Sequence, residues 1–283
     1  MQPKGCPLNS MSPTPVSSRD NSLLRRARAV RDGKLEQLIF VEGLRLCEEA
    51  LNSGLHIEVV IYSEEIAEKG RAARFLDQVA PFCDRLAVVS EKLLGSVSYT
   101  KTPQGIVLLA KRPEPGKTNL EAQDQRSSLL VLLHGINNPV NVGAILRSAE
   151  AAGATGAIST VNTADPFSPK ALRGAMGSSF RLPIWHGPSY VDAVAWCRAH
   201  ELRTVCADVK ATVPHTAIDW TLPRALILGP ESTGLSPEEI AEAGEAVKIE
   251  MHGNVESLNV GVAAAILLYE AARQRKVLKP PQP

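Results

Sequence analysis

Residues 129–152 read LLVLLHGINNPVNVGAILRSAEAA, and this stretch decides the fold of the C-terminal half of the chain. Five consecutive apolar residues predict a strand, a polar turn follows, and a helix begins after the turn. A strand that is apolar throughout is typical of a parallel sheet covered on both faces. The stretch therefore predicts a strand–turn–helix unit of a parallel α/β sheet.

The rest of residues 128–276 repeats this pattern of short apolar runs and amphipathic segments. Helices on both sides of a parallel sheet give a doubly wound α/β fold. Strands are predicted over 129–134, 156–160, 182–185, 203–207, 225–228 and 247–251, and helices over 142–152, 169–176, 190–200, 237–243 and 258–275.

Residues 22–112 predict a second, smaller α/β domain in which strands and helices alternate, as in βαβ units. Residues 1–21 are rich in Pro, Ser and Asn, with little to bury, and are expected to be a disordered tail. A Pro- and Gln-containing polar run predicts a linker over 113–127, and 277–283 form a C-terminal tail. Strands of the small domain are predicted over 37–42, 58–62, 85–89 and 105–110.

The composition of the 283 residues bounds the function only broadly. Lys and Arg total 31 against 30 Asp and Glu, so a net charge of +1 gives no support for a polyanionic partner of the whole chain. A local basic cluster lies between Arg19 and Lys34; it fits either a solvated helix face or an RNA contact. Five scattered cysteines without a C-x-x-C pair predict a reducing compartment and no metal site. With no apolar run of ~20 residues, no membrane partner is expected and the cytoplasm is the default location.

Three short blocks concentrate the chemistry, and each falls where a predicted strand gives way to a loop or helix, the place where parallel sheets keep their sites. Each also has a purely structural interpretation: Asn141 and Ser257 as helix caps, Arg147 as a surface residue, and Ser236 as the cap before Pro237. The blocks are Asn141-x-Gly143-Ala144-Ile145-x-Arg147, Gly229-Pro230-Glu231-x-x-Gly234-Leu235 and Ser257-Leu258-Asn259-Val260.

In order and spacing these blocks resemble the motifs of the SpoU/TrmH family of the SPOUT superfamily. The resemblance implies an S-adenosylmethionine-dependent RNA 2′-O-ribose methyltransferase whose C-terminal parallel-sheet domain contains a deep trefoil knot. Residues 40–43 (FVEG) and 102–106 (TPQGI) resemble the family's substrate-binding domain, a small α/β fold similar to ribosomal protein L30. Ribosomal RNA is favoured as substrate by analogy, with transfer RNA as the other possibility.

The resemblance also assigns roles by position. It implies catalytic roles for Asn141, Arg147, Glu231, Ser257 and Asn259, cofactor contacts at Gly229, Ile249, Met251, Leu258 and Asn259, and RNA contacts at Arg25, Arg26, Arg28, Lys170 and Arg173. An arginine side chain is a poor general base because its guanidinium holds its proton, so Arg147 is expected to act electrostatically unless the site removes that proton. Glu250 departs from the family, where proline is common.

Two further expectations follow. The family's sites are completed across a homodimer interface, and the helix over 258–275 has a wide apolar face (Val262, Ala265, Ile266, Tyr269) that fits such a contact. The rival function is an RNA-binding module of the same fold that has lost activity. A Rossmann-type enzyme is not supported, because no strand is followed by G-x-G-x-x-G, and no DNA partner is expected.

Overall fold

A computed structural model describes residues 13–114, 116–122 and 128–276. The chain divides into two compact units, the first ending at Pro113 and the second beginning at Glu114, with residues 167–169 grouped with the first. Within the described ranges, no helix combines the length and the apolar character that crossing a membrane requires.

The first unit is a mixed sheet with helices packed on it. Its strands run in the order β1-β4-β3-β5-β2; β4 pairs in parallel with β1 and β3, whereas β5 is antiparallel to both β2 and β3. Buried residues such as Leu24, Phe40 and Ile61 form its core. The elements are β1 (Thr14–Val16), α1 (Ser22–Arg31), β2 (Leu38–Glu42), α2 (Leu44–Asn52), β3 (Ile57–Ser63), α3 (Glu64–Ala67), α4 (Gly70–Val79), a 3-10 turn (Ala80–Phe82), β4 (Cys83–Val89), α5 (Glu91–Val97) and β5 (Ile106–Lys111).

The second unit is built on a parallel sheet in the order β10-β12-β9-β11-β6-β7-β8, in which every described pair is parallel. The carboxyl ends of its strands therefore share one edge. The elements are α6 (Lys117–Glu121), β6 (Leu129–Leu133), α7 (Pro139–Ala151), β7 (Gly156–Ser159), α8 (Pro169–Ala175), α9 (Ser178–Arg181), β8 (Ile184–His186), α10 (Tyr190–Ala199), β9 (Arg203–Ala207), β10 (Val213–Pro214), β11 (Arg224–Leu228), α11 (Pro237–Glu242), β12 (Glu245–Lys248) and α12 (Val260–Gln274).

The structure confirms the predicted α/β parallel sheet and corrects three expectations. Disorder over 1–21 is wrong for the described part, because β1 pairs with β4 and Asn21 caps α1; residues 1–12 lie outside the described residues. The βαβ prediction for the first unit misses the antiparallel β5. The linker contains the short helix α6, whose Leu120 is buried because it packs into the apolar core of the second unit. Residues 115, 123–127 and 277–283 lie outside the described ranges.

The end of α12 is fastened to the amino-terminal edge of the sheet. Arg275 Nε donates to Trp220 O at 2.6 Å, and its Nη2 donates to Leu222 O at 2.5 Å and Ser128 O at 3.1 Å. Arg224, only 2% exposed, pairs through Nη1 with Glu245 at 2.9 Å. A buried guanidinium is tolerated when its donors are satisfied, so this end of the sheet is closed by polar contacts.

Helix α7 crosses α8 at two glycines. A Cβ placed on Gly143 would lie 2.9 Å from both Ala175 N and Gly174 Cα, and one on Gly174 would lie 3.2 Å from Gly143 Cα. Real Cβ atoms do not approach backbone so closely. The helices can therefore meet at this distance only because both positions lack side chains.

We expect Gly143→Ala to lower the free energy of unfolding by ~1–3 kcal/mol, because the added methyl group overpacks rigid backbone. Gly95→Ala is the control: Gly95 lies inside α5, where the nearest atom to a Cβ is Pro103 Cγ at 3.9 Å, and alanine should be neutral or stabilising there. Urea denaturation of both variants measures the difference. A Gly143→Ala protein as stable as the wild type would contradict the tight crossing.

Candidate active site

A cavity of about 1190 Å³ opens at the carboxyl edge of the second sheet. Three segments supply most of its wall: residues 207–210 after β9, residues 228–237 after β11, and residues from Ile249 to Val260 between β12 and α12. Three loops that follow neighbouring parallel strands thus meet in one concave surface. This is the arrangement expected of a ligand site in such a sheet.

The turn after β11 has no room for a side chain at Gly229. A Cβ there would lie 2.8 Å from Leu235 Cγ and 3.1 Å from Leu235 N. The turn ends in a capping box, in which Glu239 N donates to Ser236 Oγ at 3.2 Å and Ser236 N donates to Glu239 Oε2 at 2.8 Å. The predicted cap at Ser236 is confirmed, and it fixes the start of α11 beside the cavity.

His134, the first residue after β6, contacts Glu239 of α11 and so connects the start of this helix to the strand that precedes the first block. Its Nε2 lies 2.9 Å from Glu239 Oε1 and its Nδ1 lies 3.0 Å from Thr160 Oγ1. An ionised carboxylate can only accept, so Nε2 carries the proton in this pair. The ring centroids of Tyr190 and His134 are 4.6 Å apart, and the Tyr190 hydroxyl donates to Glu239 O at 2.7 Å. Glu239 is therefore held from three sides while it lines the cavity.

The first and third blocks meet through Asn141 and Asn259. Asn259 Nδ2 donates to Asn141 Oδ1 at 3.3 Å, while Asn259 Oδ1 accepts from Gly261 N at 2.9 Å and Val262 N at 3.3 Å. Asn141 is 7% exposed, and its Nδ2 is buried without a hydrogen-bond partner. A buried amide donor without a partner is costly and is often kept for a ligand.

The structure brings most of the predicted catalytic and cofactor residues into the cavity wall. Among them, Glu231 and Ser257 are exposed. Asn141 reaches the wall only through its bond to Asn259, and Arg147 is exposed on α7 outside the wall. The predicted residues in the wall are Gly229, Glu231, Ile249, Met251, Ser257, Leu258 and Asn259.

Sequence reasoning missed several charged residues of the wall, namely Asp208, Lys210, Glu239 and Glu256. Asp208 and Lys210 follow β9, so the rule that sites lie at carboxyl ends of strands would have found them. Two caps were also misassigned. Helix α12 begins at Val260 and is capped by Asn259, not by Ser257. Helix α7 begins at Pro139 and is capped by Asn138, not by Asn141.

The predicted RNA-contact residues are exposed to different degrees. Lys170 and Arg173 are exposed on α8, and Arg25 is exposed on α1. Arg26 pairs with Glu58 at 2.5 Å, and Arg28 Nη2 donates to Arg19 O at 2.9 Å. Arg26 and Arg28 thus already make contacts within the protein.

The cavity fits the S-adenosylmethionine that the resemblance implies. Carboxylates (Asp208, Glu231, Glu239, Glu256) outnumber the single lysine of the wall, which suits a ligand carrying sulfonium and ammonium charges. Apolar side chains suited to an adenine ring also line it, namely Leu228, Leu235, Ile240, Val247 and Ile249.

The described cysteines do not provide a nucleophile. All four are free and buried. Burial raises the pKa of Cys206 to about 11 and that of Cys197 to about 12, and it also raises the pKa of Cys47 and Cys83. A thiolate is the reactive form, so methyl transfer through a cysteine adduct is not supported by the described part of the chain.

Comparison with known proteins gives a consistent result. Residues 128–269 match the SpoU rRNA Methylase family, and residues 23–108 match the MRM3-like substrate binding domain. The chain is 30% identical over 231 residues to the 23S rRNA (guanosine(2553)-2′-O)-methyltransferase RlmP of Bacillus subtilis (strain 168), covering 81% of this chain and 86% of that protein.

Solved structures are similar over nearly the whole chain. The AdoMet-bound rRNA methyltransferase from Sinorhizobium meliloti superposes with a TM-score of 0.82 at 29% identity, covering 94% of this chain and 99% of that one. The SpoU methyltransferase AviRb from Streptomyces viridochromogenes, in complex with AdoMet, gives a TM-score of 0.80 at 27% identity, covering 91% and 100%.

The two roles of Asn259 should separate in a pair of variants. Asn259→Ser keeps a capping oxygen but loses the donor to Asn141, whereas Asn259→Ala loses both. We expect only the alanine variant to lose ~0.5–2 kcal/mol of stability, and both variants to bind S-adenosylmethionine several-fold more weakly, since one hydrogen bond is worth about 1 kcal/mol. Thermal unfolding and titration calorimetry measure these effects. Wild-type affinity in the serine variant would show that the bond to Asn141 does not shape the cavity.

Proposed function

This chain belongs to the SpoU rRNA Methylase family, and from that membership we infer that it methylates a ribose 2′-hydroxyl of ribosomal RNA with S-adenosylmethionine. The observation that carries the inference is the meeting of the three blocks. The second and third line one cavity, and the third is hydrogen-bonded to the first through Asn259 and Asn141.

We propose that the loops after β11 and β12 hold the cofactor. Gly229, Ile249, Met251 and Leu258 line the cavity and fit close backbone approach and apolar contact. When bound, S-adenosylmethionine supplies the methyl group. Asn259 orients the wall by capping α12 and bonding Asn141 at the same time.

The catalytic roles are part of the same proposal. Glu231 and Ser257 are exposed in the wall and, within the described residues, make no hydrogen bond, so both are available to a ribose hydroxyl. The buried Nδ2 of Asn141 is a further free donor. Arg147 is assigned an electrostatic contact with the RNA beside the reacting ribose.

We propose that the first unit binds the RNA, since residues 23–108 match a substrate binding domain. Its similarity to ribosomal protein L30 belongs to this proposal. Arg25, Arg26 and Arg28 of α1, with Lys170 and Arg173 of α8, are assigned to phosphates; such contacts add affinity without supplying a catalytic group.

A homodimer through the second unit is also proposed. Val262 and Tyr269 are 50% and 45% exposed on α12, and Val140 of the adjoining α7 is 42% exposed. Arg147 does not line the cavity of its own chain, which fits a site completed by the partner. The trefoil knot implied by the family is proposed for the chain after β11, and likeness to the solved SpoU structures supports it.

Mass spectrometry of ribosomal RNA identifies the substrate nucleotide. RNA from a strain lacking the gene should miss one ribose methyl group, and the purified protein with S-adenosylmethionine should restore it. The rival function, an inactive RNA-binding module, would show no heat on titration with S-adenosylmethionine and no restored methyl group.

Arg147→Ala should abolish methyl transfer and leave cofactor affinity nearly unchanged, because Arg147 lies outside the cavity wall. Electrostatic or acid–base assistance is worth on the order of 10²- to 10⁴-fold, so the single-turnover rate at saturating RNA should fall by that much. Arg203→Ala removes another exposed arginine of this unit, one without an assigned role; it is the control and should retain its rate. A folded Arg147→Ala protein within about threefold of wild type would overturn the assignment.

Mixing two inactive variants tests the dimer. We expect the wild type to sediment as a dimer at micromolar concentration, and Arg147→Ala mixed with Gly229→Val to regain activity. In each mixed dimer, one intact cavity would meet one intact Arg147, giving about a quarter of wild-type sites at equal mixing. No recovery after subunit exchange would contradict a shared site, and a monomer would contradict the dimer itself.

A further inference from the structure

One loop of the first unit is held from both sides by charged side chains and presents an exposed aromatic ring. The loop comprises residues 98–104 and is called the Tyr99 loop here. Tyr99 is 44% exposed, although the residues before it, Val97 and Ser98, are buried.

A buried carboxylate anchors one side of the loop. Glu42 is 7% exposed, and its Oε2 accepts from Tyr99 N at 2.9 Å and Thr100 N at 3.2 Å. Its Oε1 accepts from Thr100 Oγ1 at 2.7 Å and from the Ser98 hydroxyl. Burying a carboxylate is costly unless its lone pairs are satisfied, and here every partner comes from the loop.

An arginine anchors the other side. Arg31 Nη1 donates to Val97 O at 3.1 Å and Ser98 O at 3.2 Å, at the C-terminal end of α5. The carbonyls at a helix end favour a cation. The backbone before and at Tyr99 is thus fixed by Arg31 and Glu42 together, so the ring projects from an anchored backbone.

Cations lie on the Arg31 side of the loop. The hydrogen bond from Arg31 holds the pKa of Asp32 below its usual range, and the nearby charges of Lys34 and Arg28 lower it further. The loop itself adds the exposed Lys101. An exposed ring on an anchored loop, with Arg31 bonded to the carbonyls before it and an exposed lysine two residues after it, fits a stacked base and its phosphate.

We propose that Tyr99 is a stacking platform for one unpaired nucleotide of the RNA substrate, with Lys101 beside its phosphate. The proposal rests on the proposed function, because it names a contact of that RNA. An RNA partner is favoured over a protein partner, because the described neighbours of the ring along the loop are polar or charged, namely Thr100 and Lys101.

Three full-length variants test the platform by their binding to an RNA fragment that contains the nucleotide to be methylated. Tyr99→Ala should weaken RNA binding between about fivefold and one hundredfold without changing its salt dependence, since stacking releases no counterions. Tyr99→Phe keeps the ring and should bind like wild type. Phe82→Ala is the matched control: Phe82 is 67% exposed on the same unit but lies in the 3-10 turn before β4, outside the Tyr99 loop, so its loss should leave RNA binding unchanged.

Two further measurements make the outcome decisive. Cofactor affinity and thermal unfolding should be unchanged in all three variants. In the wild-type protein, a 4-thiouridine-substituted RNA fragment should photo-crosslink to the peptide containing the Tyr99 loop. Tyr99→Ala binding within twofold of wild type, or crosslinks only elsewhere, overturns the platform. Absence of any methyl transfer to ribosomal RNA by the wild type would instead overturn the proposed function.

Discussion

The close approach of α7 to its neighbours is the constraint on which the active site depends. Two glycines let α7 and α8 touch backbone to backbone, and at the start of α7 Asn141 accepts a hydrogen bond from Asn259. Residues 118 positions apart in the sequence are thereby fixed relative to each other. This bond ties the first block to the third, which lines the cavity together with the second. The relative position of the three blocks is thus a consequence of helix packing as much as of the residues in the blocks.

The sequence predicted the elements that leave a strong periodic signal. The strands of the second sheet were predicted to within a few residues, because apolar runs buried on both faces are easily recognised. β1 and β10 were not predicted. Strands of three and two residues carry no periodicity, and they form only by pairing with a neighbouring strand. The antiparallel direction of β5 was also beyond reach, because pairing direction is decided by tertiary contacts.

The candidate site was predictable in its members and less so in its arrangement. Gly229, Glu231 and Leu258 line the cavity as expected, since each belongs to a block with a specific spacing. Asn259 caps α12, whereas Ser257 was predicted as the cap. Both residue types can cap a helix, and the backbone conformation decides between them. The placement of Arg147 outside the wall could have been anticipated, because six residues at about 3.6 per turn put it on a different face of α7 from Asn141.

The fastening of Arg275 to Ser128 has a consequence for biosynthesis. These two residues are 147 positions apart, and the bond closes the amino-terminal edge of the sheet. Ribosomes release a chain from its N-terminus, so β6 emerges long before the helix that secures it. The strands of the second sheet all precede α12, but the cavity wall is complete only when Val260 and Ala263 have left the exit tunnel as well. The chain therefore becomes able to transfer a methyl group only after its last helix has been made, although the first unit emerges early.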